Sequence, residues 1–372
     1  MFLAKILLQS FRNYHRLELP FTHQVNLFVG QNAQGKTNLL EAIYVMAMTK
    51  SHRTFRDKEL IGWNQPFAKI TGEIKRGEES LDLEVIIAEK GKKVRKNGLE
   101  QRRLSQYIGA CNVVMFAPED LSIVKGSPQH RRRFMDMEIG QLSPLYLHYL
   151  SQYQKLLQQK NQFLKLAKRE QKQNAMVMLD VWNQQLTEFA VKIMLKRYQY
   201  IAQLQMWAAG IHAGITQEKE ELCITYKSES KVLAGMMEDV AREIFYQELM
   251  GKAKQELERG TSLHGPHRDD LTFRINQIDV QTFGSQGQQR TTALSLKLAE
   301  IELIYHEVGD YPLLLLDDVL SELDEIRQTH LLTTIQDKVQ TFVTSTSLDG
   351  VQLKHLPDRE IFKVQDGTIV SN

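Results

Sequence analysis

Gly30-Gln31-Asn32-Ala33-Gln34-Gly35-Lys36-Thr37 fits G-x-x-x-x-G-K-[ST], the loop whose backbone N–H groups wrap a nucleotide's phosphates. Its flanks supply the context the string needs. Val25-Asn26-Leu27-Phe28-Val29 reads as a short buried strand, and Leu39, Leu40, Ile43, Tyr44 and Ala47 recur at helical spacing just after the loop. Gly30 and Gly35 let the chain turn about an anion where a Cβ would collide, and the first N–H groups of the following helix face that anion. Gln31, Asn32, Ala33 and Gln34 complete the phosphate-wrapping turn. Lys36 is expected to reach the β and γ phosphates and the Thr37 hydroxyl to ligate Mg²⁺. ATP and Mg²⁺ are therefore the expected cofactors.

A P-loop also needs a strand that ends in an acid. Leu313-Leu314-Leu315-Leu316-Asp317-Asp318 supplies one, its leucines reading as a strand buried on both faces. Asp317 is expected to hold Mg²⁺, and Asp318 to orient or deprotonate the attacking water. Lys36, Asp317 and Asp318 are thus the expected catalytic residues. They lie near opposite ends of the sequence, so a large segment must leave the sheet and rejoin it.

The 372 residues suffice for about two domains, and 42% hydrophobic with 25% charged residues is an ordinary globular composition. No apolar run is long enough to span a bilayer, and the N-terminus lacks a leader's cleavage site. Cys111 and Cys223 offer neither a disulfide framework nor a zinc set. The expectation is a cytoplasmic protein without membrane contact.

The chain to about Phe116 reads as strands around one helix, with a hairpin turn at Asn97-Gly98. From Glu89 to Arg103 seven basic residues face two acidic ones, which suits either a solvated hairpin or a polyanion contact through the Lys92 to Lys96 cluster. Arg131-Arg132-Arg133 opens a helix, where positive charge is unfavourable unless an anion is near. Between Gly140 and Gly210 there is no glycine and only Pro144, so long helices are expected. Tyr149, Tyr153, Leu156, Lys160, Phe163 and Ala167 make one stripe, with Lys160 its polar break. Leu179, Trp182, Leu186, Phe189 and Ile193 make the other half of an antiparallel pair. Strand character returns at Leu271, Phe273 and Ile275. The expected layout is a discontinuous nucleotide-binding lobe, 1–125 with 255–372, interrupted by a mainly helical lobe over 126–254.

Ser285-Gln286-Gly287-Gln288 precedes a helix with Leu294, Leu298 and Ile301 on one face. It resembles the signature of ATP-binding-cassette ATPases, which contacts the γ-phosphate bound to a second subunit, and Ser321-Glu322-Leu323-Asp324 resembles the loop that crosses the same interface. The resemblance implies an α/β P-loop cassette head and an ATP-dependent, head-to-tail homodimer whose nucleotides meet Ser285, Gln286, Gly287 and Gln288 of the other copy. Thr344-Ser345-Thr346 stands where these ATPases usually have a histidine, and Asp318 where transporter cassettes have glutamate. Slow hydrolysis is expected.

Several further strings, in order, are similar to the RecF family of bacterial recombination and repair ATPases. They are Phe11-Arg12-Asn13-Tyr14, the GQNAQGKTNLLEAI segment, Lys50-Ser51-His52-Arg53, FAPEDL, KGSP with Arg131 to Arg133, Gly265-Pro266-His267-Arg268-Asp269-Asp270, GSQGQQRT and LLLDDVLSELD. The resemblance covers essentially the whole chain. It implies a DNA-binding, weakly active, DNA-stimulated ATPase acting at single-stranded gaps or single-strand to double-strand junctions. It further implies RecO and RecR as partners, RecA loading as the outcome, and roles in recombinational repair, replication restart and the SOS response. Arg12 and Asn13 are implied to touch nucleotide; Arg131 to Arg133 and Lys92 to Lys96 are the candidate DNA-backbone contacts. A transporter cassette fits less well, since Ser285 stands so far from Lys36, and a chromosome-organising ATPase would need long heptad runs that are absent. The alternative is a nucleotide-gated scaffold without DNA contact.

Overall fold

The computed structural model describes residues 1–170, 174–336, 338–347 and 358–370, without the side chain of Glu322. In chain order its first part runs β1 (Phe2–Phe11), β2 (Tyr14–Pro20), β3 (Val25–Val29), α1 (Lys36–Met48), β4 (Phe67–Arg76), β5 (Glu79–Ala88), β6 (Gly91–Lys96), β7 (Leu99–Glu100) and β8 (Val113–Phe116). The middle runs α2 (Leu121–Lys125), α3 (Pro128–Leu142), α4 (Pro144–Glu170), α5 (Ala175–Thr216), β9 (Leu222–Lys227), α6 (Glu238–Arg259), β10 (Asp270–Ile275), β11 (Ile278–Asp279) and α7 (Val280–Phe283). The last part runs α8 (Gln286–Val308), β12 (Leu313–Asp317), α9 (Glu325–Ile335), β13 (Thr341–Ser345), β14 (Arg359–Gln365) and β15 (Thr368–Val370). Among the described residues no helix is long and apolar enough to cross a membrane.

Two compact units emerge: Met1–Leu121 with Ile211–Lys219 and Arg290–Asn372, and Ser122–Gly210 with Glu220–Gln289. The first holds two six-stranded sheets, one antiparallel in the order β2-β1-β4-β5-β6-β7, the other β15-β14-β3-β13-β12-β8. In the second sheet β3 pairs in parallel with both β13 and β14, and β12 with both β13 and β8. The four leucines of β12 are wholly buried, as a central parallel strand requires. Phe21, Phe28, Phe342 and Phe362 pack together around β3, with Phe28 and Phe362 stacked at 5.2 Å. The turn expected at Asn97-Gly98 joins β6 to β7, with φ of 48° and 75° at its two central residues.

The second unit is a helical body with a three-stranded sheet, β11-β10-β9. The expected boundary at 254/255 is not where the chain divides. Residues 255–289 group with the helices because β10 pairs with β9 and the GPHRDD turn bonds to helical side chains. Arg197 donates to the Pro266 carbonyl at 2.7 Å, and Asp269 accepts from Tyr226 and from Ser228. The expected pair of helices becomes a trio, since Leu164, Leu179 and Ala253 of α4, α5 and α6 share one apolar cluster.

Lys160, the polar break in the α4 stripe, lies fully buried and meets the equally buried Glu256 of α6 at 2.6 Å. Glu256 also accepts from Ser262 Oγ and Leu263 N. Burial pushes the Lys160 amine below its ordinary pKa, and Glu256 pulls it back. Removing one member strands the other, whereas removing both trades a dry ion pair for apolar packing. In urea denaturation Glu256→Gln should lose about 3–5 kcal/mol, and Lys160→Met with Glu256→Leu should lose much less. Equal losses in the two proteins would contradict this.

Candidate nucleotide site

β3 ends at Val29, and the loop from Gly30 enters α1 at Lys36. Gly35 takes φ 114°, and α1 begins without a side-chain cap or a first-turn acid, so its leading N–H groups are uncapped donors for an anion. A Cβ on Gly35 would come within 2.7 Å of Asn13 Nδ2, and one on Gly30 within 2.4 Å of the Val364 carbonyl. The loop is braced from several elements. Tyr14 OH donates to the Gly35 carbonyl at 3.0 Å, Asn13 Nδ2 to that of Gln34 at 3.2 Å, and Asn38 Nδ2 to Asn13 Oδ1 at 2.8 Å. Gln34 in turn accepts from the backbone of Asp366 and Gly367, at 2.7 and 2.9 Å.

Lys36 is buried, its Nζ donating to the carbonyls of Gly30 and Gln31 at 2.6 and 2.9 Å. Burial lowers its pKa, opposed by the charges of Asp318 and Asp317. Thr37 Oγ1 donates to Asp317 Oδ1 at 2.8 Å, a bond across 280 residues of chain. Parallel pairing explains the meeting: β13 lies between β3 and β12, and its Thr344 stands in register with Asp317. Thr344 Oγ1 donates to Asp317 Oδ1 at 2.8 Å and accepts from Asp318 N at 2.9 Å. Asp318 has φ 53°, left-handed for a residue with a Cβ. A hydroxyl and a carboxylate at this spacing form the hard-oxygen donor set that suits Mg²⁺.

The Arg12 guanidinium grips the buried Glu41 through two bonds of 2.8 Å and donates to the Glu59 carbonyl at 2.8 Å. Burial raises the Glu41 pKa, but hydrogen bonds from Arg12 and Ser51 and the nearby positive charge outweigh it, so the group sits below its usual range. Arg12 thus anchors the turn that carries Asn13. Gly30 to Thr37, Asp317 and Asp318 are brought together in the first unit.

Ser285, Gln286, Gly287 and Gln288 belong to the second unit, where they open α8. Ser285 Oγ accepts from Gln288 N at 3.2 Å while Gln288 Oε1 accepts from Ser285 N at 2.9 Å, a reciprocal capping box. Ser285 and Gln286 are exposed. Downstream of Asp318, Ser321 Oγ donates to the Asp318 carbonyl at 2.8 Å and Asp324 caps α9. Tyr14, Asn38 and Gln34 stand in strings already singled out, but no sequence signal marks their bracing of the loop or the left-handed Asp318. Only the pairing of strands remote in sequence exposes their roles.

A family described as the RecF/RecN/SMC N-terminal domain matches residues 2–368. A DNA replication and repair protein RecF of Bacillus cereus (strain G9842) is 57% identical over 369 residues, covering 99% of this chain and 98% of its own length. The chain belongs to the RecF family. The RecF of Bacillus thuringiensis (strain Al Hakam) matches to the same extent. A solved structure of the recombination mediator protein RecF with ATP, in the RecFOR pathway, superposes with TM-score 0.91 at 33% identity, covering 99% of this chain and 97% of that one. A solved Smc head, bound to the C-winged helix domain of ScpA and 15% identical with TM-score 0.56 over 100% and 98% of the two chains, shares the fold. The fold is that of an α/β P-loop cassette ATPase head, as the RecF resemblance implies.

Burial holds the Asp317 carboxyl above its ordinary pKa; Asp318 adds to this, while Thr344, Thr37 and Arg53 oppose it. A folded-state pKa above the unfolded one makes the ionised group destabilising at neutral pH, and the penalty fades as pH falls through the raised value. Asp317→Asn should therefore melt higher than the parent at neutral pH without nucleotide, with the gain shrinking in acid. The same variant should lose Mg²⁺-dependent nucleotide binding in calorimetry. A lower melting temperature at neutral pH would contradict this account.

Proposed function

We propose that this chain is an ATP-dependent, DNA-binding repair ATPase. It binds single-stranded gaps or single-strand to double-strand junctions, forms a head-to-tail homodimer on ATP, and hydrolyses ATP slowly with stimulation by DNA. With RecO and RecR it assists RecA loading, and so supports recombinational repair, replication restart and the SOS response. The observation that carries the reading is the 2.8 Å bond from Thr37 to Asp317, which joins the P-loop to the acidic strand end within one site. Full-length similarity to RecF proteins supports the biological role.

In this reading Gly30 to Gly35 wrap the phosphates and Lys36 moves from its loop carbonyls to the β and γ oxygens. Thr37 and Asp317 would hold Mg²⁺, which would supply neutralisation of the phosphate charge. Asp318 orients the attacking water. Ser285, Gln286, Gly287 and Gln288 approach the γ-phosphate bound by the other copy, as an uncrowded helix N-terminus can.

Two features support slow chemistry. Asp318 has a shorter reach than glutamate, and the Thr344 hydroxyl, where a histidine is usual, already serves Asp317 and the Asp318 backbone. Nucleotide then serves association more than turnover. Sedimentation velocity should show dimers with ATP and Mg²⁺ and monomers without, and Ser285→Arg should abolish the dimer while monomer ATP affinity persists. Dimers that ignore ATP, or a turnover of about ten per second or more without DNA, would contradict the reading.

Among the arginine candidates for DNA, Arg131 is unsuited. It is buried, bonded to Asp270 through Nε and Nη2 at 2.6 and 2.9 Å and to the Gly126 carbonyl at 2.7 Å. Arg132 donates to the Asp269 carbonyl at 2.8 Å. The anion that their place in α3 calls for is the protein's own. Arg131→Ala should therefore lower the melting temperature of the free protein. An unchanged melting temperature with reduced DNA affinity would return Arg131 to the DNA surface.

A further inference from the structure

Residues 60–66 form a turn pinned to the end of β1. Arg12 N donates to the Leu60 carbonyl at 2.9 Å, Gly62 N to that of Ser10 at 2.7 Å, and Gln65 N closes on the Gly62 carbonyl at 3.1 Å. Ile61 bridges Phe11, and Asn64 takes φ 60°. A backbone held at so many points is stiff, and its outer corner carries Trp63 with 94% of its surface exposed. Phe55, a few residues earlier, is 81% exposed. Folding gains nothing from an indole left in water, because its apolar surface stabilises only when something covers it.

The surroundings hold both charges, with Arg12, Arg53, Arg56 and Lys58 set among Asp57, Glu59 and Glu89. Lys58 reaches Glu89 at 2.7 Å and Lys92 reaches Asp57 at 3.0 Å, so the segment around Arg53 and the basic β5–β6 turn, remote in sequence, form one surface of the first unit. On it Arg56 and Lys58 are 84% and 67% exposed. Lys92 is the exception among the basic candidates: it is largely buried and donates to the Thr49 carbonyl at the end of α1. A cleft of about 700 Å³, lined by Trp63, Arg12, Asn13, Asn38, Arg53 and Lys58 among others, runs beside the indole.

Exposed rings beside mobile cations are how a protein holds a single strand of any sequence: bases stack on the rings and phosphates follow the charges. Duplex offers no free base face to a ring standing at a surface corner. We infer that this face takes single-stranded nucleic acid, with one base stacked on Trp63 and the backbone following Arg53, Arg56 and Lys58. The inference rests on the DNA-binding reading above and adds the surface that holds the single strand.

The test uses the full chain with ATP and Mg²⁺, fluorescence anisotropy with oligo-dT and with a duplex of equal length at one fixed salt concentration, and parallel ATP titrations. Trp63→Ala should weaken oligo-dT binding about ten-fold or more, with duplex affinity, ATP affinity and melting temperature unchanged. Trp63→Phe should keep most of the affinity, since it keeps a ring. If Trp63→Ala binds oligo-dT as the parent does, the stacking site is overturned while the DNA-binding reading stands. If the parent binds neither DNA, both readings are overturned. Loss of ATP affinity with DNA binding intact would assign the cleft to the base of bound ATP and overturn the inference, and loss only of binding to a protein partner would make the face a protein interface and overturn it equally.

Discussion

A carboxylate placed where water cannot fully reach it governs the first unit. Asp317 ends a wholly apolar strand, and two threonine hydroxyls, from the P-loop helix and from β13, share its Oδ1. That arrangement is uncomfortable without a cation, because burial disfavours the charged form and Asp318 beside it adds repulsion. The discomfort is what makes the site responsive. In the proposed function a divalent ion carried in with triphosphate would relieve it, and that binding energy would drive the change in association.

The second unit handles charge in the opposite way, by internal compensation. Lys160 with Glu256 is a buried pair, and Arg131 with Asp270 and Arg197 with Asp136 join a buried arginine to a half-buried carboxylate, each supplemented by further hydrogen bonds. Such pairs fix geometry more than they add stability. Here they tie the GPHRDD turn to α3, α4 and α5 and so fix the start of β10. The strand leads through β11 and α7 to the capping box at Ser285, so the fold commits many side chains to presenting an exposed helix N-terminus.

The P-loop, its strand and helix, and the acidic strand were legible in the sequence, because glycine spacing and a run of leucines have few other uses. The hairpin at Asn97-Gly98 and the strand at Leu271 to Ile275 were legible for the same local reasons. Side-chain assignment was less so. Charge patterning marks Arg131 and Lys92 as surface cations, yet both are drawn inward by partners, Asp270 and Asp57, that only tertiary pairing reveals. Lys160 likewise reads as a flaw in an apolar stripe until Glu256 is placed opposite it. The boundary near 254 was illegible because β9 and β10 pair across the intervening α6, and no composition shift reports a long-range ladder.

The central claim of the proposed function is that each ATP is enclosed by the P-loop of one copy and the Ser285 segment of another. Mixing two defective proteins tests it most directly. In a mixed dimer of Lys36→Ala and Ser285→Arg, one composite site carries both defects and the other carries neither. The account predicts that the mixture hydrolyses ATP faster than either variant alone at the same total concentration. A rate equal to the mean of the two would contradict it.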